Sequence, residues 1–448
     1  MNSTEKNVTI GGRMYRLTVG LLMLWMHSSL VPMAAADGPA DTSSGSLLDG
    51  YMRQALDHNP AVIAARSAVT AKEKDVRIAL QLPDPQLSGG YFITPVETRV
   101  GPQRAKVGAS QMIPWPGKLL AKRAEAREEL DAARQRLRAA EADVFAGVRK
   151  AHAELYAVGR EIAITRENDA LLKQMEAILL AKYATATAQQ VSVLKIQVEE
   201  AMLEDELANL EVRAAEARAT LVRLLGITGD TVLPFPSGLD TLAVPVDSVR
   251  FSALADSLNP AVMEAGADVR AARVRVHRAR QSFIPDFMIM TDYIITDATT
   301  STMVAPSDNG KNPWIVGAAV TLPVWVGSKG AMVDKAIAAA EMQESMLGNR
   351  RNMTAENTVR LFKEYGDALR RIKLYETTLI PRARQTLDLM QVAYSTSSAS
   401  VLDYLDAQRT LLRLEIALVM QQARREVMAG TIDALLGGEL TRKELGGR

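Results

Sequence analysis

The sequence predicts a mostly α-helical chain with a small β part, built as two copies of one unit. Three observations carry that prediction: a repeated Asn-Pro-Ala-Val segment, a long proline-free stretch with a seven-residue repeat, and four short segments of strand character. Duplication says how many units to expect, the seven-residue pattern says how the helices pack, and the strands say where the helical rule stops.

The N-terminus is separate from this plan. Arg13 and Arg16 precede an apolar run from Leu17 to Val31, and Ala34-Ala35-Ala36 follows before Asp37. That layout predicts a secretory signal peptide over 1–36, cleaved after Ala36. The run is shorter than the roughly 20 apolar residues of a membrane-spanning helix and is broken by His27, Ser28 and Ser29. The sequence has no cysteine, so neither a disulfide nor a thiol-linked lipid is expected, and stability after export must come from packing and assembly. A formal charge of +1 over 448 residues gives no reason to expect nucleic acid as a partner.

The repeat is explicit. Asn59-Pro60-Ala61-Val62 recurs as Asn259-Pro260-Ala261-Val262, each followed by a charged, Ala-rich stretch and then Pro83-Asp84 or Pro285-Asp286. Ile113-Pro114 with Gly117 and Lys118 matches Leu322-Pro323 with Gly327 and Lys329, and Tyr183, Leu194 and Gln197 recur as Tyr394, Leu405 and Gln408 at an offset of 211. The expected units are 37–226 and 251–437, with a linker over 227–250 and a tail over 438–448.

Each unit reads as a helix, two strands, a very long helix, a turn and a shorter helix. In the first, a helix over Leu47–Leu82 contains Asn59-Pro60, where proline restarts or kinks it. Strands follow at Gln86–Thr98 and Arg104–Ile113, and the second unit supplies Phe287–Asp297 and Trp314–Leu322 around a polar loop, Ala298–Pro313. From Lys118 to Lys182 there is no proline, and Leu130, Leu137, Val144, Ala151 and Val158 repeat every seven residues, with Ala126, Ala133, Ala140 and Gly147 as small partners. This spacing marks a coiled-coil seam. Such a helix would be on the order of 100 Å long, far beyond what one globular core needs.

No run of 18 or more apolar residues follows residue 36, so any membrane residence must use the strands. Four strands cannot close a barrel, and an open edge in lipid leaves backbone groups unsatisfied. Three copies would supply twelve strands around a common axis, a plausible aqueous pore.

With these residues in place, the chain resembles the TolC family of outer-membrane efflux channels. The likeness rests on the paired Asn-Pro-Ala-Val segments, on Ile113–Lys118, on the strand-strand-long-helix order, and on Tyr394 with Asp403-Tyr404-Leu405-Asp406 and Gln408. It spans Leu47 to Leu436. The resemblance implies a homotrimer with a twelve-stranded outer-membrane barrel continued by a coiled-coil periplasmic barrel, docked on a periplasmic adaptor and an inner-membrane transporter. Pro114-Trp115-Pro116-Gly117-Lys118 looks most like the heavy-metal-cation branch.

The resemblance also assigns sites. Asp403, Asp406 and Tyr394 match a channel gate. Three chains would bring six carboxylates around one axis, and mutual repulsion should raise their pKa values; the bland alternative is a solvated helix start. The turns at Ala184–Gln190 and Ser395–Ser400 are expected at the far tip, with Thr187, Ala188, Ser397 and Ser398 as the adaptor-docking surface. Family members usually carry glycine where this chain has Ala186 and Ser397. Ser192 and Lys195 stand in the first unit where Asp403 and Asp406 stand in the second.

No metal site or cofactor is expected: His27, His58, His152 and His277 lack ligand spacing, and the methionines are scattered. There is no HExxH, phosphate loop or serine elbow, which argues against an enzyme. Two rival readings are a periplasmic adaptor, which would carry one hairpin without duplication, and a coiled-coil scaffold, which would lack strands and signal peptide.

Overall fold

The computed structural model describes residues 47–228, 232–244, 248–300, 307–396 and 398–444. The predicted signal peptide lies outside them.

The first helix is two. α1 (Leu47–His58) ends and α2 (Pro60–Ile78) begins at the Asn59-Pro60 step. The Asn59 side-chain oxygen accepts the Ala61 N–H at 2.9 Å, and Pro60 occupies a first-turn position where no N–H is required. The motif is thus a helix start. Asn59 also donates through Nδ2 to the Leu224 carbonyl at 2.9 Å, tying this corner to the far end of the first hairpin.

Strands β1 (Gln86–Val96) and β2 (Gln103–Ile113) lead into α3 (Pro116–Ala184), 69 residues without interruption. Val144, Ala151 and Val158 of the seven-residue set are buried, and Leu130 and Leu137 half-buried. After a turn, α4 (Gln190–Leu225) returns along α3 and ends on Gly226, whose φ of 66° closes the helix in the left-handed region; a Cβ there would sit 2.4 Å from the His58 carbonyl oxygen.

The order then recurs: α5 (Ser248–Leu258), α6 (Pro260–Gln281), β3 (Phe287–Thr296), β4 (Trp314–Val320), α7 (Val326–Leu374), α8 (Ile380–Ser395) and α9 (Val401–Leu435), with a short α10 (Glu439–Glu444) closing. Asn259 caps α6 as Asn59 caps α2, accepting from Ala261 and Val262 at 2.9 and 3.2 Å. β1, β3 and β4 end one or two residues short of the predicted bounds, and β2 begins one residue earlier than predicted and ends at Ile113 as expected.

One feature breaks the symmetry. Where α3 runs straight through, the second long helix contains a π-helical turn, Tyr375–Leu379, directly before Pro381. Proline has no N–H to give the carbonyl four residues back and its ring crowds that carbonyl. The helix accommodates this by widening for one turn, with the Ile380 N–H reaching the Tyr375 carbonyl.

The connecting segment 232–244 is packed onto the helices. Phe235 lies against Gly159, where a Cβ would fall 2.7 Å from its ring, and the Arg218 guanidinium stacks on that ring, 4.3 Å from its centre. Arg149 of α3 and Glu426 of α9 form a buried ion pair at 3.4 Å. Glu426 also accepts the Leu242 N–H, and Arg149 donates to the Asp240 carbonyl at 2.8 Å.

Candidate functional site

The four strands form one antiparallel sheet in the order β1-β2-β3-β4. Its register sorts the side chains into two faces. Leu87, Tyr91, Val107, Ile289, Tyr293, Trp314 and Val316 are exposed and share one face. The opposite face carries Ser88, Lys106, Ser110 and Asp292 among Met112, Met288, Met290, Ile294 and Ile315, and Lys106 pairs with Asp292 at 2.9 Å. Gly108 makes room for that pair, since a Cβ there would meet the Asp292 carboxylate at 2.3 Å.

Aromatics bracket the apolar face. Tyr91, Tyr293 and Trp314 lie toward the loop ends of the strands, and Phe287, Trp115 and Trp325 toward the helix ends. An exposed apolar face, an opposite face that holds all the charged residues within the paired strands' register, and aromatics at both rims fit a membrane β-barrel. β1 and β2 are 11 residues long and β3 is 10, matching the roughly 9–11 residues of a spanning strand, and β4 is shorter at 7. Among the described residues no helix is long and apolar enough to cross a membrane, and no strand pairs with the outer edge of β1 or β4.

At the opposite end of the long helices the two hairpin turns stand side by side over a shared core. Leu172, Met175 and Leu179 of α3, Ile196 of α4, and Tyr404 and Leu405 of α9 pack there with Tyr394. The turns are hydrogen-bonded alike, residue for residue at the offset of 211. In the first, the Thr187 N–H and Oγ1 both donate to the Lys182 carbonyl, at 2.8 and 2.9 Å, and the Thr185 and Thr187 hydroxyls meet at 2.9 Å. In the second, the Ser398 N–H and Oγ donate to the Ala393 carbonyl at 2.9 and 3.0 Å, and the Thr396 and Ser398 hydroxyls meet at 3.0 Å. Ala186 takes φ 55°, the left-handed conformation a glycine would adopt freely, at a cost of about 1–2 kcal/mol for a residue with a Cβ. The turn keeps its shape without the expected glycine. Thr187 and Ser398 are exposed and Ala188 is half-buried; Ser397 lies outside the described residues.

Beyond the turns the hairpins differ. α4 starts at Gln189 with no side-chain cap. α9 starts at Ser400 with a complete capping box: Ser400 Oγ accepts the Asp403 N–H at 3.3 Å, and Asp403 Oδ2 accepts from the Ser400 N–H at 3.0 Å and Oγ at 2.8 Å. These bonds hold the Asp403 carboxyl below its usual range, opposite to the rise expected from a ring of carboxylates. Within one chain the cap sets the shift, because its bonds are direct. The Ser400-x-x-Asp403 spacing was a readable sign of this box.

Asp403 and Asp406 both lie on the exposed side of α9. Tyr394 is buried instead, with Lys182 Nζ 4.4 Å from its ring centre and 3.4 Å from its carbonyl oxygen. No hydrogen bond joins it to either aspartate among the described residues. Nearby, Arg409 of α9 pairs with the buried Glu199 of α4, crosslinking the hairpins. Lys182 and Arg409 had no motif to mark them; only the fold brings them to their partners.

No group of His, Cys, Asp and Glu among the described residues could hold a metal ion. His152 is buried edge-on to Tyr51, and burial pushes its pKa below the ordinary range.

A sheet with a lipid-compatible face, continued by helices of about 100 Å that end in paired tips, defines an outer-membrane channel of the duct type. The chain belongs to the outer membrane efflux protein family, whose model matches residues 51–227 and 252–438; it is an efflux channel of the outer membrane and not an enzyme. It is 24% identical over 413 residues to the cobalt-zinc-cadmium resistance protein CzcC of Cupriavidus metallidurans, covering 92% of this chain and 93% of that one. It is 26% identical over 335 residues to the pyoverdine export outer membrane protein OpmQ of Pseudomonas aeruginosa, covering 72% and 67%. The fold matches the outer membrane protein VceC of Vibrio cholerae with a TM-score of 0.71 at 19% identity, covering 89% and 96%.

Proposed function

We propose that three copies of this chain close a twelve-stranded barrel and form the passive exit duct of a tripartite efflux pump, docked through the helix tips on a periplasmic adaptor and fed by an inner-membrane transporter. The observation that carries this reading is the four-stranded sheet with an apolar, aromatic-rimmed face and two unpaired edges: one chain cannot satisfy those edges in lipid, and three can. Divalent metal cations are the proposed cargo, supported by the likeness to a cobalt-zinc-cadmium resistance protein over nearly the full length of both chains.

In this reading Thr187, Ala188, Ser397 and Ser398 meet the adaptor. Asp403 and Asp406 ring the narrow periplasmic end, and Tyr394 with Lys182 holds the two hairpins together beneath it. The test is expression in a strain lacking its own metal-efflux duct but keeping adaptor and transporter. Restored growth in zinc, cobalt or cadmium is expected, and a chain that reaches the outer membrane yet restores no metal tolerance rules out the cargo. Cysteines placed at Gly101 and Asn309 in this cysteine-free chain should label in intact cells with an impermeant thiol reagent; protection of both in assembled trimers rules out the barrel orientation.

A further inference from the structure

We infer that the junction between barrel and helices carries a binding site for an anionic phospholipid headgroup. A cavity of about 630 Å³ lies there among α3, α6 and α7, rimmed by Pro83 and Pro114 at the strand ends. It exists because small residues such as Ala272, Ala279, Ala336 and Ala339 line the facing helices.

Its wall holds six cations, Lys118, Lys122, Arg275, Arg278, Lys329 and Lys335, and no carboxylate. Part of that charge is met from behind: Lys118 pairs with Asp286 at 2.8 Å, Arg275 with Glu125 and Glu129 at 2.6 and 2.9 Å, and Arg278 with Glu125 at 2.8 Å. Lys329 donates only to the neutral Ser282 carbonyl at 2.6 Å. Lys122 and Lys335 have no partner among the described residues. Six cations against three carboxylates leave a net positive cavity, and the Ser282 hydroxyl at its edge is buried without a hydrogen-bond partner.

The level of the cavity selects the anion. Trp115 and Trp325 lie at the same strand ends, and tryptophans of a membrane protein concentrate at the headgroup layer. A phosphate diester at that depth would meet the lysines while its acyl chains lie along Leu119 and Met332, which share the cavity wall. The geometry therefore favours a lipid over a free anion, which has no use for the apolar wall. The inference rests on the strands being the lipid-spanning part of the protein.

The experiment is native mass spectrometry of the full-length trimer purified from outer membranes, titrated with phosphatidylglycerol or phosphatidylcholine, for the parent, for Lys122→Gln with Lys335→Gln, and for Lys363→Gln on the same helix away from the cavity. Phosphatidylglycerol should be retained preferentially by the parent and the Lys363 variant, and about thirtyfold less by the double variant, on the usual worth of two basic side chains at an anionic surface. Equal retention of both lipids by the parent, or unchanged retention in the double variant, overturns the site. Displacement of phosphatidylglycerol by millimolar inorganic phosphate makes it a free-anion site and overturns the lipid assignment. Failure to recover the parent from outer membranes at all would count against the barrel reading, a result distinct from either.

Discussion

The two hairpin tips are one turn written twice with different chemistry below it. Thr185, Thr187 and the Lys182 carbonyl in the first do what Thr396, Ser398 and the Ala393 carbonyl do in the second, with nearly the same distances. The following helices then diverge: α4 opens on uncapped Gln189, with Ser192 and Lys195 on its first turns, whereas α9 opens on a Ser400–Asp403 box with Asp406 one turn on. The shared backbone turn means both tips can present the same shape to a docking partner. The divergent first turns mean only one can contribute negative charge. Shape has been kept and charge has been specialised, which is the division expected if docking uses both hairpins and gating uses one.

The largest effect is expected at the tips themselves. Thr187→Glu or Ser398→Glu puts a charged side chain where a hydroxyl closes the turn, and each should reduce metal tolerance to that of the duct-less strain while leaving trimers intact. Loss at one tip only would make docking as asymmetric as the charge.

Next comes the long-helix asymmetry. Ala170 is exposed on α3 at the position matching Pro381. Ala170→Pro should weaken the lower half of α3 by about 3 kcal/mol, read as faster amide exchange between the tip and residue 170. Pro381→Ala, where a π turn already absorbs the defect, should change local exchange far less. Equal effects would mean the π turn is not a response to the proline.

The cap difference should be smaller. Ser400→Ala should cost the start of α9 about 1 kcal/mol in local exchange protection, and Gln189→Ala close to nothing at the start of α4. Because Ser400 holds the Asp403 carboxyl below its ordinary value, the carboxylate's part of the cap is complete above that ordinary value and is lost as pH falls through the lower folded one, whereas the Ser400 Oγ bond to the Asp403 N–H does not titrate. The difference between Ser400→Ala and parent should thus be constant at neutral pH and shrink below about pH 3.9. The smallest effect is a gain: Ala186→Gly should steady the first turn by about 0.5–1 kcal/mol, relief of left-handed strain offset by glycine's larger unfolded-state entropy. A loss of protection there would mean the Ala186 Cβ packs usefully.

Much of this was legible because its signals are local or periodic. The Asn-Pro-Ala-Val segments announce their helix starts through cap chemistry that needs no tertiary context, and the seven-residue run of α3 carries its own length. The offset linking Tyr183 to Tyr394 already held the equivalence of the tips. What stayed hidden depends on distant approach. Nothing near Arg149 points to Glu426, nor Arg409 to Glu199, because those pairs are made by helices from opposite halves of the chain. The π turn was hidden differently: Pro381 was visible, but whether a proline breaks, kinks or widens a helix is decided by the packing around it. The Asp403 cap is readable from the Ser400-x-x-Asp403 spacing, and the helix-start reading of Asp403 stands beside the gate resemblance, which uses the same residue.

We propose that acid at the second tip governs ion passage while the first tip does not. Planar-bilayer conductance of the trimer reads this out, comparing the parent with Asp403→Asn and Asp406→Asn together, and with Ser192→Ala and Lys195→Ala together. The aspartate variant should lose cation selectivity and become markedly less sensitive to multivalent cations added from the periplasmic side, while the first-tip variant conducts and is blocked like the parent. If the aspartate variant keeps the parent's selectivity and block, Asp403 is a helix cap, Asp406 a solvated neighbour, and the two tips differ in nothing that the channel uses.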